Sequence, residues 1–175
     1  MIEIHVYNPA WPALFEAERA RIAAALGDRL AALEHVGSTS VPGLAAKPII
    51  DILAGVVRLE QAGACIEPIV ALGYTYRPDL ETVMPERRFF CRETDGVRSH
   101  NLHLVAIDSE FWERHLLFRD YLRARPRVAA HYETLKRVLR DRFVDDMGAY
   151  TDNKTPFIRQ VEELARAERE GRLPT

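Results

Sequence analysis

The order of sequence patterns predicts an α/β (α+β) fold: a mixed β-sheet flanked by helices and followed by a helical C-terminal part. Three observations carry this reading. A nearly continuous apolar and β-branched run, AAKPIIDILAGVV (residues 45–57), is followed by the helically spaced segment RLEQAGACIEPIVALGY (58–74), the strand–helix order of a layered α/β unit. RRFFCRE (87–93) and TDGVRSHNLHLVAI (94–107) read as two strands joined by a turn at Asp95-Gly96. From Ser109 onward the spacing is helical, with SEFWERHLLFRDYLRAR, a break at Pro126, RVAAHYETLKRVLRDRF and, after GAYTDNKTP, a last helix starting at FIRQVEELARAERE.

The first element follows the same logic. In NPAWPALFEAERARIAAALG a proline stands near the start, apolar residues recur at Leu14, Phe15, Ile22, Ala25 and Leu26, and Gly27 supplies the stop. Glu18 interrupts the apolar stripe of this helix. The aromatic residues Phe111, Trp112, Phe118 and Tyr121 recur at roughly helical intervals and are expected in the core. With 175 residues, 47% of them hydrophobic, the chain can fill one sizeable core, so one domain is expected, with a sheet-containing part over 1–107 and a helical part over 108–175.

Composition narrows the function. A balance of 24 basic and 26 acidic side chains, net −2, exerts no overall pull toward nucleic acid or an anionic membrane, so a small-molecule partner is expected. Cys65 and Cys91 lack metal-ligand spacing and cannot form a disulfide framework, which suits a reducing compartment. No run of eighteen apolar residues occurs and the start does not read as a signal peptide, so a cytoplasmic protein is expected.

The least ordinary composition lies in EHVGSTSVPGLAAKPIID, residues 34–51. Gly37 and Ser38 follow the apolar Leu33 and Val36; a glycine there lets backbone amides approach an anion, and the hydroxyls of Ser38, Thr39 and Ser40 add donors, so phosphate is the natural guest. The same residues also suit a tight turn in which Ser and Thr bond their own backbone. Asp51 stands among Ile49, Ile50, Ile52 and Leu53, and a carboxylate in such a strand needs a partner. Lys47, placed on the same face by alternation but about 13 Å away along an extended strand, is one candidate. A divalent metal carried by a nucleotide, Mg²⁺ or Mn²⁺, is the other, since a hard ion needs few carboxylates when phosphates and waters complete its shell. A structural aspartate bonded to a neighbouring loop is the third.

The stretch HVGSTSVPGLAAKPIIDI resembles the signature of the GrpB-like family, and WPALFEAE, ALGY, HLLFRDYLR, HYETLK and YTDNKTPFI extend the resemblance over nearly the whole chain. That family is similar in fold to the nucleotidyltransferases of the DNA polymerase β type, in which a Gly-Ser loop holds nucleotide phosphates and strand carboxylates hold Mg²⁺. Val36, Gly37, Ser38 and Asp51 occupy the corresponding positions, which implies nucleotide binding and a nucleotidyl-transfer role. Leu53 stands where the second carboxylate belongs, so two-metal catalysis is in question. Related domains fused to dephospho-CoA kinases imply the alternative: a nucleotide-binding or folding-accessory module without the full chemistry.

A replacement for the missing acid is sought on the later strand, RSHNLHLVAI. Alternation puts Asn101 and His103 on one face and His100 on the other, and His103 is taken as the metal ligand or general base beside Asp51. Arg87 and Arg88, with Arg98 nearby, are candidate phosphate clamps, Arg88 being carried into the site, or else surface charge on a hairpin. Lys154, expected just before the last helix and beside Tyr150, is a candidate for a nucleotide phosphate. Glu34 and His35 are read as a strand edge rather than a ligand pair.

Overall fold

The computed structural model describes residues 2–172. Strands β1 (Ala32–Val36), β2 (Ile50–Val56), β3 (Thr75–Tyr76), β4 (Arg87–Thr94) and β5 (Val97–Ala106) form one sheet in the order β1-β2-β5-β4-β3. The central pair β2 and β5 runs parallel and every other neighbour antiparallel. The hairpin of β4 and β5 closes on Asp95 and Gly96, both at positive φ (53° and 76°), the two-residue turn whose twist matches that of the strands.

Helices α1 (Trp11–Leu26) and α2 (Gly63–Ala71) cover one face of the sheet. Phe15, Ile22 and Leu26 of α1 and Cys65 and Ile69 of α2 meet Ile50, Ile52, Ala54 and Val56 of β2, Leu102 and Leu104 of β5 and Phe90 of β4. Because side chains alternate along a strand, Asp51, Leu53 and Gly55 point to the other face, in register with Asn101, His103 and Val105. That face receives α3 (Glu110–Ala124), where Phe111 and Trp112 pack with Val36, Leu53 and Val105.

The helical part continues as α4 (Pro126–Arg142) and α5 (Met147–Arg169). Ser109 caps α3 by accepting from the Trp112 amide at 3.2 Å, and Pro126 opens α4 where its missing N–H costs nothing. The four aromatics of α3 are buried, as their spacing predicts. Val41 and Leu44, which follow the Gly-Ser turn, are buried against Phe118, Leu122, Tyr132 and Val161, so the turn forms the seam between sheet and helices.

One element differs from the sequence pattern. The last helix starts at Met147, not near Phe157, and takes in GAYTDNKTP, including Pro156. Asp146 caps it by accepting from the Ala149 amide at 2.9 Å, and burial of Tyr150 anchors its first turn, so cap and packing outweigh the lost Pro156 hydrogen bond. Lys154 therefore lies inside α5, one turn after Tyr150.

Candidate functional site

Val36 pairs with Asp51 across β1 and β2, and the chain turns immediately after Val36, so Gly37 lies directly over the Asp51 carboxylate. A Cβ on Gly37 would stand 2.3 Å from Asp51 Oδ2, and its φ of +71° is one that side chains rarely adopt; only glycine permits this approach. The following Ser38–Ser40 forms a single 3₁₀ turn. Asp51 Oδ1 accepts from Asn101 Nδ2 at 2.9 Å, on the adjacent parallel strand. Burial raises the Asp51 pKa, and the Asn101 hydrogen bond and the charges of Lys47 and Lys154 oppose that rise.

Two lysines, Lys47 and Lys154, act on this acid, and a third, Lys136, stands beside them at Ser38. Lys47 precedes β2; the Ile49 amide donates to the Lys47 carbonyl at 2.8 Å around Pro48, a tight three-residue turn that breaks the strand register and replaces the extended path. Its Nζ lies 3.2 Å from Met147 Sδ and 5.3 Å from the Tyr150 ring centre. Lys154, four residues after Tyr150 on α5, stands over the same ring at 4.3 Å. Lys136, 3% exposed on α4, donates to Ser38 Oγ at 3.1 Å and to the Ala45 carbonyl, and stands 4.9 Å from the Tyr132 ring centre.

Among the described residues none of these lysines has a carboxylate within 4.0 Å. Burial, reinforced by Lys154 and other nearby cations, lowers Lys136 to about 7. Burial and the charge of Lys47 lower Lys154 to about 8, with Asp51 opposing. Lys47 and Lys154 thus share one acid, Asp51, and Lys136 adds a third ammonium group whose lowered pKa Glu133 opposes, leaving a local excess of positive charge that an anion would relieve.

A sequence profile described as "GrpB protein" matches residues 1–164. The chain belongs to the GrpB family. It is 39% identical over 171 residues to the UPF0157 protein YqkA of Bacillus subtilis, covering 98% of this chain but 49% of that protein, so it spans about half the length of that relative. It is 30% identical to a dephospho-CoA kinase of Mycolicibacterium paratuberculosis, over 88% of this chain and 43% of the kinase. The crystal structure of the conserved protein GrpB from Enterococcus faecalis superposes with a TM-score of 0.84 at 36% identity, covering 93% of this chain and 96% of that one. A structure of the Cid1 poly(U) polymerase gives a TM-score of 0.51 at 15% identity, covering 86% of this chain and 50% of the polymerase, so the GrpB chain has the nucleotidyltransferase-like fold.

Within this GrpB fold, Gly37, Ser38, Lys47, Lys154 and Asp51 come together. Other residues predicted for the site do not join them. Thr39 and Ser40 are buried, with Thr39 Oγ1 donating to the Ile49 carbonyl at 3.1 Å and Ser40 Oγ to the Gly37 carbonyl at 2.6 Å; their hydroxyls build the turn instead of facing a ligand. Arg88 lies on the sheet face opposite Asp51, paired with Glu81 at 3.3 Å. His103 shares the Asp51 face but accepts from Arg87 Nη1 through Nδ1 at 2.9 Å and packs against Phe89, Phe111 and His115. Burial and the Arg87 charge hold it well below the usual imidazole range. Asn101, two residues earlier, is the partner of Asp51. Glu34 pairs with Arg119 at 2.5 Å, and His35 is buried under Phe15.

The divalent metal implied by this fold does not fit the donor set. Asp51 supplies one carboxylate, Leu53 fills the next position on its face, and the ammonium groups of Lys47 and Lys154 act on the acid. Among the described residues no three His, Cys, Asp or Glu side chains are grouped to hold an ion. A hard dication prefers several oxygen ligands and is opposed by this charge. Lys136, in contrast, escaped the sequence reading. It occupies the buried stripe Ala129, Tyr132, Lys136 and Leu139 of α4, and a lysine on an apolar stripe is the signal that marks it.

Proposed function

We propose that this GrpB-family chain binds a phosphorylated small molecule of the nucleotide class between the Gly37-Ser38 turn and helices α4 and α5. Lys47, Lys136 and Lys154 neutralise the phosphate oxygens, and the ammonium groups take the part that metal ions play in related folds. The observation that carries this reading is the grouping of the buried Lys136 with the half-buried Lys47 and Lys154, with no carboxylate in ion-pair contact among the described residues. Buried cations ordinarily have partners, and a bound phosphate supplies one. The nucleotide class is supported by the fold shared with a polymerase solved with MgGTP and by the relatives named dephospho-CoA kinase, one of them from Mycobacterium leprae. Fold alone does not assign chemistry, and with Leu53 in place of an acid the site supports binding rather than two-metal nucleotidyl transfer.

A thermal-shift series with the four ribonucleoside triphosphates, dephospho-CoA and pyrophosphate tests the reading, each run in EDTA and in Mg²⁺. Selective binding to the native state raises Tm by mass action. The expected result is a concentration-dependent rise in EDTA with at least one phosphate compound, lost in Lys154→Met. No shift with any compound, or a shift that requires Mg²⁺, contradicts it. The dephospho-CoA arm distinguishes a module serving coenzyme A synthesis from a general nucleotide binder.

A further inference from the structure

The strands at this site are chemically unlike the groups around them. The lysines and the Ser38 hydroxyl offer donors, whereas β2 and β5 offer two acceptors, the Asp51 carboxylate and the side-chain carbonyl of Asn101. Asn101 spends its amide on Asp51, and its Oδ1 is buried with no hydrogen-bond partner among the described residues. A buried acceptor without a donor is costly, and one beside the candidate phosphate site points to a group that a ligand supplies. Unsubstituted pyrophosphate satisfies the lysines but brings few donors to these oxygens.

We infer that the ligand is a phosphate ester of a polyol, placing a hydroxyl donor against Asp51 and Asn101 while its phosphate occupies the lysines. This inference rests on the phosphate-binding reading and narrows its substrate class to hydroxyl-bearing esters, of which ribonucleotides and sugar phosphates are examples. Asn101 contributes specificity: a site that keeps unpaired acceptors rejects an analogue lacking the donor.

Calorimetric titration of the full chain with matched pairs, glycerol 3-phosphate against n-propyl phosphate and ATP against 2′,3′-dideoxy-ATP, tests this, with pyrophosphate as the phosphate-only reference. At least one hydroxylated compound should bind roughly tenfold more tightly than its partner, the worth of one hydrogen bond to a charged or buried acceptor. Asn101→Leu should bring that ratio toward one while leaving pyrophosphate affinity in place. Equal affinities within both pairs on the wild-type chain overturn the inference and leave phosphate binding standing, as does an undiminished ratio in folded Asn101→Leu. If pyrophosphate and all four esters fail to bind, the phosphate reading itself falls and takes this inference with it. The wild-type pairs decide the matter even if the variant does not fold.

Discussion

Two charged clusters lie on opposite faces of the same sheet and are built on opposite principles. On the face covered by α1, Glu18 is 3% exposed, and both its oxygens accept from Arg92 Nη1 at 2.8 Å, with Arg21 Nη1 adding bonds at 3.1 and 2.8 Å. Arg92 in turn reaches His100 Nδ1 at 3.0 Å. On the other face Asp51 has a neutral amide as its direct partner, and Lys47, Lys154 and the neighbouring Lys136 lack a carboxylate in contact among the described residues. The first cluster pairs its acid with two arginines and joins α1 to β4, while the Tyr74 hydroxyl beside it has no hydrogen-bond partner among the described residues; the second carries unspent charge. A buried ion with its partners in place is part of the fold, whereas shielded cations held short of a partner store a binding capacity.

The largest effect that separates the two is on stability. Glu18→Gln leaves Arg92 without its anion and should cost about 3–5 kcal/mol in urea denaturation, with phosphate affinity unchanged. A loss of under about 1 kcal/mol would erase the distinction. Next comes Gly37→Ala, which combines positive φ with a collision at the Asp51 carboxylate; a loss of about 1–3 kcal/mol is expected in the same assay. Full stability in that variant would show that the turn does not press on Asp51.

Lys136→Met separates the clusters further. It removes a buried ammonium with no carboxylate in contact but also the donor to the Ala45 carbonyl and Ser38 Oγ, so a loss of about 1–3 kcal/mol is expected, below that of Glu18→Gln. A fall comparable to that of Glu18→Gln would mean that Lys136 is structural.

The smallest expected effects appear in pH titrations. Lys136 and Lys154 have folded pKa values, about 7 and about 8, below the ordinary lysine value of 10.5, so the unfolded chain binds more protons between those limits and their contribution makes the free protein more stable as pH rises through this window. Phosphate affinity should run the other way, falling severalfold from pH 7 to pH 9 as the ammonium groups discharge. Parallel curves would refute the assignment. Burial, with Arg92 adding to it, lowers His100 to about 4, and burial lowers His35 to about 4, so both contribute stability present above pH 6.5 that is lost as pH falls toward 4. This acid loss should be the same with and without phosphate.

The contrast also explains what the sequence made legible. Local signals succeeded: Asp95-Gly96 dictates its turn, the β-branched run around Asp51 its central strand, and the Gly-Ser step its bend. Alternation placed Asn101 and His103 on the correct face but could not choose between them, because the choice depends on Arg87 claiming His103 from the neighbouring strand. Arg88 was misplaced by one residue of the same alternation, which sends every side chain to the other face. Lys47 comes within electrostatic reach of Asp51, though not into ion-pair contact, because Pro48 makes a tight turn in place of an extended strand. Lys136 lies 98 residues from Ser38 in the chain, and no local pattern joins them.

The central claim is that these lysines are a phosphate site that needs no metal. Calorimetric titration of pyrophosphate at pH 7 in EDTA, onto the wild-type chain and folded Lys136→Met, tests it most directly. Saturable binding by the wild type and a roughly ten- to hundredfold weaker association in the variant are predicted, as expected for loss of a charged hydrogen-bond donor. Equal affinity in the two chains, or no binding by the wild type until Mg²⁺ is restored, would contradict it.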